Sequence, residues 1–137
     1  MIIFNNGLIT LDYNPAIDVL TVELPNAAQF GIPELSRSLE TVAENIQNYD
    51  IKKLLLDSSN VVVEQIRDDT YKSVVEKFVL TLTKTRLQKL ARVNSTRITQ
   101  DQRVAQVTSE ATRKYNAPIN IKMFSGRAAA QDWLLAD

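Results

Sequence analysis

Two early stretches alternate apolar with polar residues. In residues 8–13, Ile9, Leu11 and Tyr13 alternate with Thr10 and Asp12. In residues 18–24, Leu20, Val22 and Leu24 alternate with Thr21 and Glu23. A period of two predicts half-buried strands. Asn14-Pro15-Ala16 between them is turn chemistry, and so short a gap predicts an antiparallel hairpin. Residues 2–4, ahead of Asn6-Gly7, can add a short third strand.

The period then lengthens. Pro33 suits the first turn of a helix, where its missing N–H costs nothing, and Glu34 suits the positive end of the helix dipole. Leu35, Leu39, Val42, Ile46 and Tyr49 form one apolar stripe at helical spacing. Residues 51–56 follow as a strand with Leu54-Leu55-Leu56 unbroken. Such a run predicts a strand covered on both faces. Val61-Val62-Val63 fits either a short strand or a packed loop. Asp68 or Asp69 can cap the next helix, which extends to about Lys84 with Tyr71, Val74, Val75, Phe78 and Leu82 inward. Leu80 points away from that stripe, so this helix is apolar on more than one side. It marks a candidate self-association face for a homodimer, the competing account being that Leu80 packs under the Val61–Val63 segment inside the monomer.

Residues 87–93 read as a strand. Thr99 and Gln102 form a capping box for a helix that buries Val104, Val107, Ala111 and Tyr115 and ends at Asn116 and Pro118. Residues 119–124 make the last strand, with Ile119, Ile121 and Met123 on one face. Ser125 is placed as the cap of a final helix holding Ala129, Trp133 and Leu134, with Trp133 read as a core plug. The order β-β-α-β-α-β-α-β-α predicts an α/β domain. Its mixed sheet has an antiparallel hairpin at one edge, three parallel late strands and helices on both faces.

Composition narrows the chemistry. The chain has 137 residues, no Cys and no His. Cys/His zinc sites, thiol nucleophiles and Ser-His triads are therefore excluded, and the side chain that most often serves as a base near neutral pH is missing. With only three Gly residues there is no G-x-G-x-x-G and no phosphate loop, and no cofactor is expected. No apolar run of about 20 residues offers a membrane span. The first residues carry no basic leader pattern, which points to the cytoplasm. Net charge is zero, but residues 1–68 carry −6 and residues 69–137 carry +6. The basic stretch from Lys84 to Arg103 has no interleaved aromatic residue, so a nucleic-acid partner is not expected.

Ligands of open α/β sheets sit outside the strand carboxyl ends. Three such ends read Asp57-Ser58-Ser59, Asn94-Ser95-Thr96-Arg97 and Ser125-Gly126-Arg127. If these strands are neighbours, Ser58, Ser59, Ser95, Arg97, Ser125 and Arg127 share one rim with two helix N-termini, a candidate site for a small anion. Asp57 opposes that reading unless an arginine pairs with it. A phosphoryl-accepting role for Asp57 fails, since the first strand leads into Asn14-Pro15 without the acidic pair that would hold magnesium.

The order of elements resembles the STAS domains and the SpoIIAA-like proteins grouped near them. The resemblance rests on four segments: residues 11–20, residues 49–57, residues 85–93, and Phe124-Ser125 with Ala129 and Trp133-Leu134. These segments are similar to a set of bacterial proteins, mainly from Bacteroidetes, and cover nearly the whole chain as one domain. The resemblance implies a regulatory or ligand-sensing module that docks a partner protein, rather than an enzyme. In anti-sigma factor antagonists of this group a Ser in an Asp-Ser-Ser-Gly turn is phosphorylated. Here Asn60 replaces the Gly after Asp57-Ser58-Ser59, so Ser58 is one weak match. By position the better match is Thr70 in Asp68-Asp69-Thr70-Tyr71, where two carboxylates would repel a phosphate. An enzyme would have to use Asp57 as base or metal ligand without a placed second carboxylate.

Overall fold

A computed structural model describes residues 1–24, 31–59, 61, 68–94 and 98–136. Six strands form one sheet in chain order: β1 (Ile2–Asn5), β2 (Thr10–Asn14), β3 (Val19–Glu23), β4 (Lys53–Asp57), β5 (Lys89–Val93) and β6 (Asn120–Phe124). Four helices lie among the described residues: α1 (Ile32–Asn48), α2 (Asp68–Leu82), α3 (Ile98–Lys114) and α4 (Arg127–Leu135). The β1–β2 and β2–β3 pairs are antiparallel, and β3–β4, β4–β5 and β5–β6 are parallel. The expected mixed α/β sheet is thus present, and its parallel part begins one strand earlier, at β3.

Local chemistry accounts for the boundaries. The Asn14 carboxamide oxygen accepts the Ala16 N–H at 3.1 Å, and Asp18 closes the β2–β3 hairpin at φ 55°. The Tyr13 hydroxyl donates to Asp18 Oδ1 at 2.8 Å across the same hairpin. Gly31 precedes α1 at φ 86°, a left-handed backbone that favours glycine, and Pro33 lies in the first turn. Tyr49, expected in the α1 stripe, instead follows the helix as its C-terminal cap and is 48% exposed. Asp68 and Asp69 both fall within the range of α2. Thr99 lies inside α3, which starts at Ile98. For α4 the cap residue is Gly126, not Ser125, and no side chain caps it.

Each of the three crossovers β3-α1-β4, β4-α2-β5 and β5-α3-β6 advances one strand in the same direction. Right-handed crossovers of that kind put all three helices on one face. Leu20, Val22, Leu54, Leu56 and Leu90 point into that layer, where they meet Leu39, Ile46, Val75, Val79 and Val104. After β6 the chain folds back, and among the described helices only α4 covers the opposite face. Leu55, 2% exposed, packs there with Ala91, Ala130 and Leu134. The triple Leu of β4 is therefore buried from both sides, as its pattern requires.

The middle position of α2 explains its broad apolar surface, because it packs on both α1 and α3. Lys77 pairs with Glu40 across the α1–α2 seam, and Lys114 reaches Glu76 across the α2–α3 seam at 3.5 Å. Leu80 faces outward, 40% exposed, while Val61 is buried; Val62 and Val63 lie outside the described residues. The acidic and basic halves meet through such pairs, as in Arg86 with Asp50 at 3.3 Å. No described helix is long and apolar enough to cross a membrane.

Candidate functional site

The carboxyl ends of β4, β5 and β6 are neighbours, as the sequence requires. Strand alternation nonetheless sets Asp57 and Ser58 of the expected rim on opposite faces. Asp57 shares the parity of Leu55 and faces the α4 side. Ser58 shares the parity of Leu56 and joins the lining of a recess beneath the three helices.

On the α4 side, Arg127 Nε donates to Asp57 Oδ2 at 2.6 Å, and its Nη2 lies 3.6 Å from Glu23 Oε2. Asp57 is 5% exposed. Burial pushes its carboxyl upward, but hydrogen bonds from Ser59 and the Arg127 guanidinium outweigh burial and hold it below the usual carboxylate value. The Ser59 N–H donates to Asp57 Oδ1 at 2.9 Å. Arg127 is thus engaged by two carboxylates, those of Asp57 and Glu23. Ser125 is exposed at the start of α4, and Ser59 is exposed beyond β4. Ser95 and Arg97 lie outside the described residues. Among the described residues no group of acidic side chains is placed to hold a metal ion. Thr70 is exposed in the first turn of α2, its N–H bonded to Asp69 Oδ1 at 2.8 Å.

On the three-helix side lies a partly open cavity of about 70 Å³. A single water needs only about 10–15 Å³ of such volume. Its wall is apolar, with Leu56 and Leu90 from the sheet, Val75, Val79 and Leu82 from α2, and Val104 from α3. Among the described residues, four side chains with hydrogen-bonding groups also line it: Ser58, Tyr71, Arg92 and Thr108. Ser58 and Arg92 are 3% and 6% exposed and lie just after β4 and near the end of β5. The Ser58 hydroxyl donates to the Val93 carbonyl at 2.8 Å, tying β4 to β5. Arg92 Nη1 donates to Asn94 Oδ1 at 2.8 Å and lies 3.9 Å from Met123 Sδ. The arrangement gives an apolar chamber with its hydrogen-bonding groups in the lining.

The sequence reading missed Arg92 as a site residue. Its signal was present in Leu90-Ala91-Arg92-Val93, because alternation sets Arg92 on the same inward face as Leu90. A charged residue at core parity near a strand carboxyl end marks a candidate site. Comparison with protein-family models, curated proteins and solved structures finds no match to this chain.

Proposed function

We propose that the protein is a non-enzymatic regulatory module of the STAS-like kind. It binds a small, mainly apolar molecule in the cavity beneath α1, α2 and α3, and its output is docking to a partner protein. One observation carries the ligand half: an apolar chamber with Ser58, Arg92 and Thr108 in its lining, near the strand carboxyl ends. The docking half follows from the resemblance to STAS domains and from the match in element order. This reading moves the expected small-ligand site from the rim to the interior, since Arg127 is already held by Asp57 and Glu23.

Butanol, butyrate and phenol are suitable probes, because they share a small apolar body and differ in the head. Burying four carbons at about 0.8 kcal/mol each gives dissociation constants of about 1–10 mM. The expected result is a saturable rise in melting temperature with at least one probe. The rise should fall several-fold in Val75→Leu, which narrows the chamber at a wall residue 8% exposed. A rise of equal size in Val75→Leu, or none with any probe, contradicts the cavity reading.

A further inference from the structure

Among the described residues, β1 and β6 are the two edges of the sheet. The Asn120 N–H donates to Gln88 at 2.9 Å, and the Phe124 carbonyl accepts from Asn94 at 2.7 Å. The even-numbered residues of β6 therefore bond to β5. By alternation the N–H and C=O groups of Ile121 and Met123 face the open edge. Beside them is a groove of about 460 Å³ between β6 and α3. Its α3 wall has the short side chains Ala105, Thr108 and Thr112, and its floor holds Ile121 and Met123. Among the described residues, Arg113 is the charged one in its lining and no acidic side chain lines it. Lys122, exposed on the opposite face of β6, lies over the Phe124 ring at 5.6 Å.

We infer that an extended acidic peptide segment of a partner protein docks in this groove as a seventh strand, paired with β6 through Ile121 and Met123. Backbone pairing supplies affinity in such strand addition, and alternate side chains set specificity. Here the side chains that face the groove would rest on Ile121 and Met123, with an acidic one at Arg113. A second copy of the chain is the poorer occupant. Antiparallel pairing of two β6 strands about their midpoint sets Lys122 opposite Lys122, and like charges directly opposed are destabilising. The β1 edge is less suited, because its register with β2 breaks between Ile2 and Phe4. This surface supplies the docking half of the function proposed above. It is tested without any cavity ligand, so failure here leaves the cavity reading to its own test.

The experiment titrates the full chain with the acetyl-capped eight-residue peptide Glu-Thr-Val-Thr-Val-Thr-Glu-Thr, whose valines and glutamates share one face, read by backbone amide chemical shifts. The expected result is saturable shifts at Ile121 and Met123. Binding should weaken at least tenfold with lysine in place of glutamate, and likewise in the exposed-site variant Arg113→Glu. N-methylation of alternate peptide amides should abolish it on one of the two possible phases, because only one set of amides faces β6. Unmoved Ile121 and Met123 amides at peptide saturation would overturn the proposal, as would equal binding by both N-methylated peptides. Concentration-dependent shifts of the same amides without peptide would also overturn it, by showing that the edge pairs with itself.

Discussion

On one face of the sheet Leu54 and Leu56 meet three helices; on the other, Leu55 meets one. The first face has a deep apolar layer with a cavity in it and a nearly buried arginine, Arg92, at its margin. The second has a small cluster around Leu55, Ala130 and Leu134, bordered by the Glu23–Asp57–Arg127 charges. The difference follows from topology. Sequential strand order sends the three described crossover helices to the same side, and of the described helices α4, after β6, covers the other. A thick layer can enclose a ligand; a single short helix seals a sheet without enclosing a chamber.

Truncation should separate the faces most sharply. Leu54→Ala should cost stability toward the upper end of about 2–5 kcal/mol, since three helices fix its surroundings, and Leu55→Ala toward the lower end, since α4 can settle into the space. Urea denaturation measures both. Equal losses would mean that α4 is as firmly held as the three-helix layer.

The charged border gives the next effect. Arg127→Ala removes the partner of a nearly buried carboxylate and should cost about 1–3 kcal/mol at neutral pH. The Asp57 carboxyl is held below its usual value, so its contribution is present above the unfolded-state carboxylate pKa and is lost as pH falls through the lowered value. Wild-type stability should therefore decline on acidification below about pH 4, with Arg127→Ala showing a shallower decline. Parallel acid profiles for the two proteins would show that Asp57 gains nothing from Arg127.

On the hairpin, Tyr13 tests the opposite end of the pH range. Burial, its hydrogen bond to Asp18, and the Asp18 and Asp50 charges raise its hydroxyl to about 12. The folded state keeps that proton when the unfolded chain has lost it, so stability contributed by Tyr13 falls as pH rises from about 10 toward 12. Tyr13→Phe should remove this alkaline component. An unchanged alkaline profile would place the loss elsewhere.

The smallest effect belongs to the outer side of α2. Leu80→Glu should change stability by no more than about 0.5 kcal/mol, because Leu80 is exposed rather than packed under Val61. A loss above that would show that Leu80 is covered in solution, by a second copy or by another part of the chain.

The fold was legible where pattern and burial coincide. The unbroken Leu54-Leu55-Leu56 demanded cover on two sides, and the alternation in β2 and β3 fixed which residues line the core. Tyr49 was misplaced because periodicity continues past the point where the helix ends, and the residue that ends it, Asp50 at φ 56°, carries no glycine signal. Within the expected rim, Asp57 and Ser58 part for a reason visible in the sequence. Asp57 and Ser58 are adjacent, and adjacent residues leaving a strand face opposite sides. The cavity was not legible, because its volume depends on how three helices settle over the sheet rather than on any residue pattern.

Methyl chemical shifts of the full chain during titration with phenol and butanol test the account most directly, because Leu and Val methyls report on both faces at once. The account expects saturable shifts at Leu56, Val75, Val79 and Leu90, which line the cavity, and none at Leu55 and Leu134 on the α4 face. Shifts confined to Leu55 and Leu134, or no saturable shift at the cavity methyls, would contradict it.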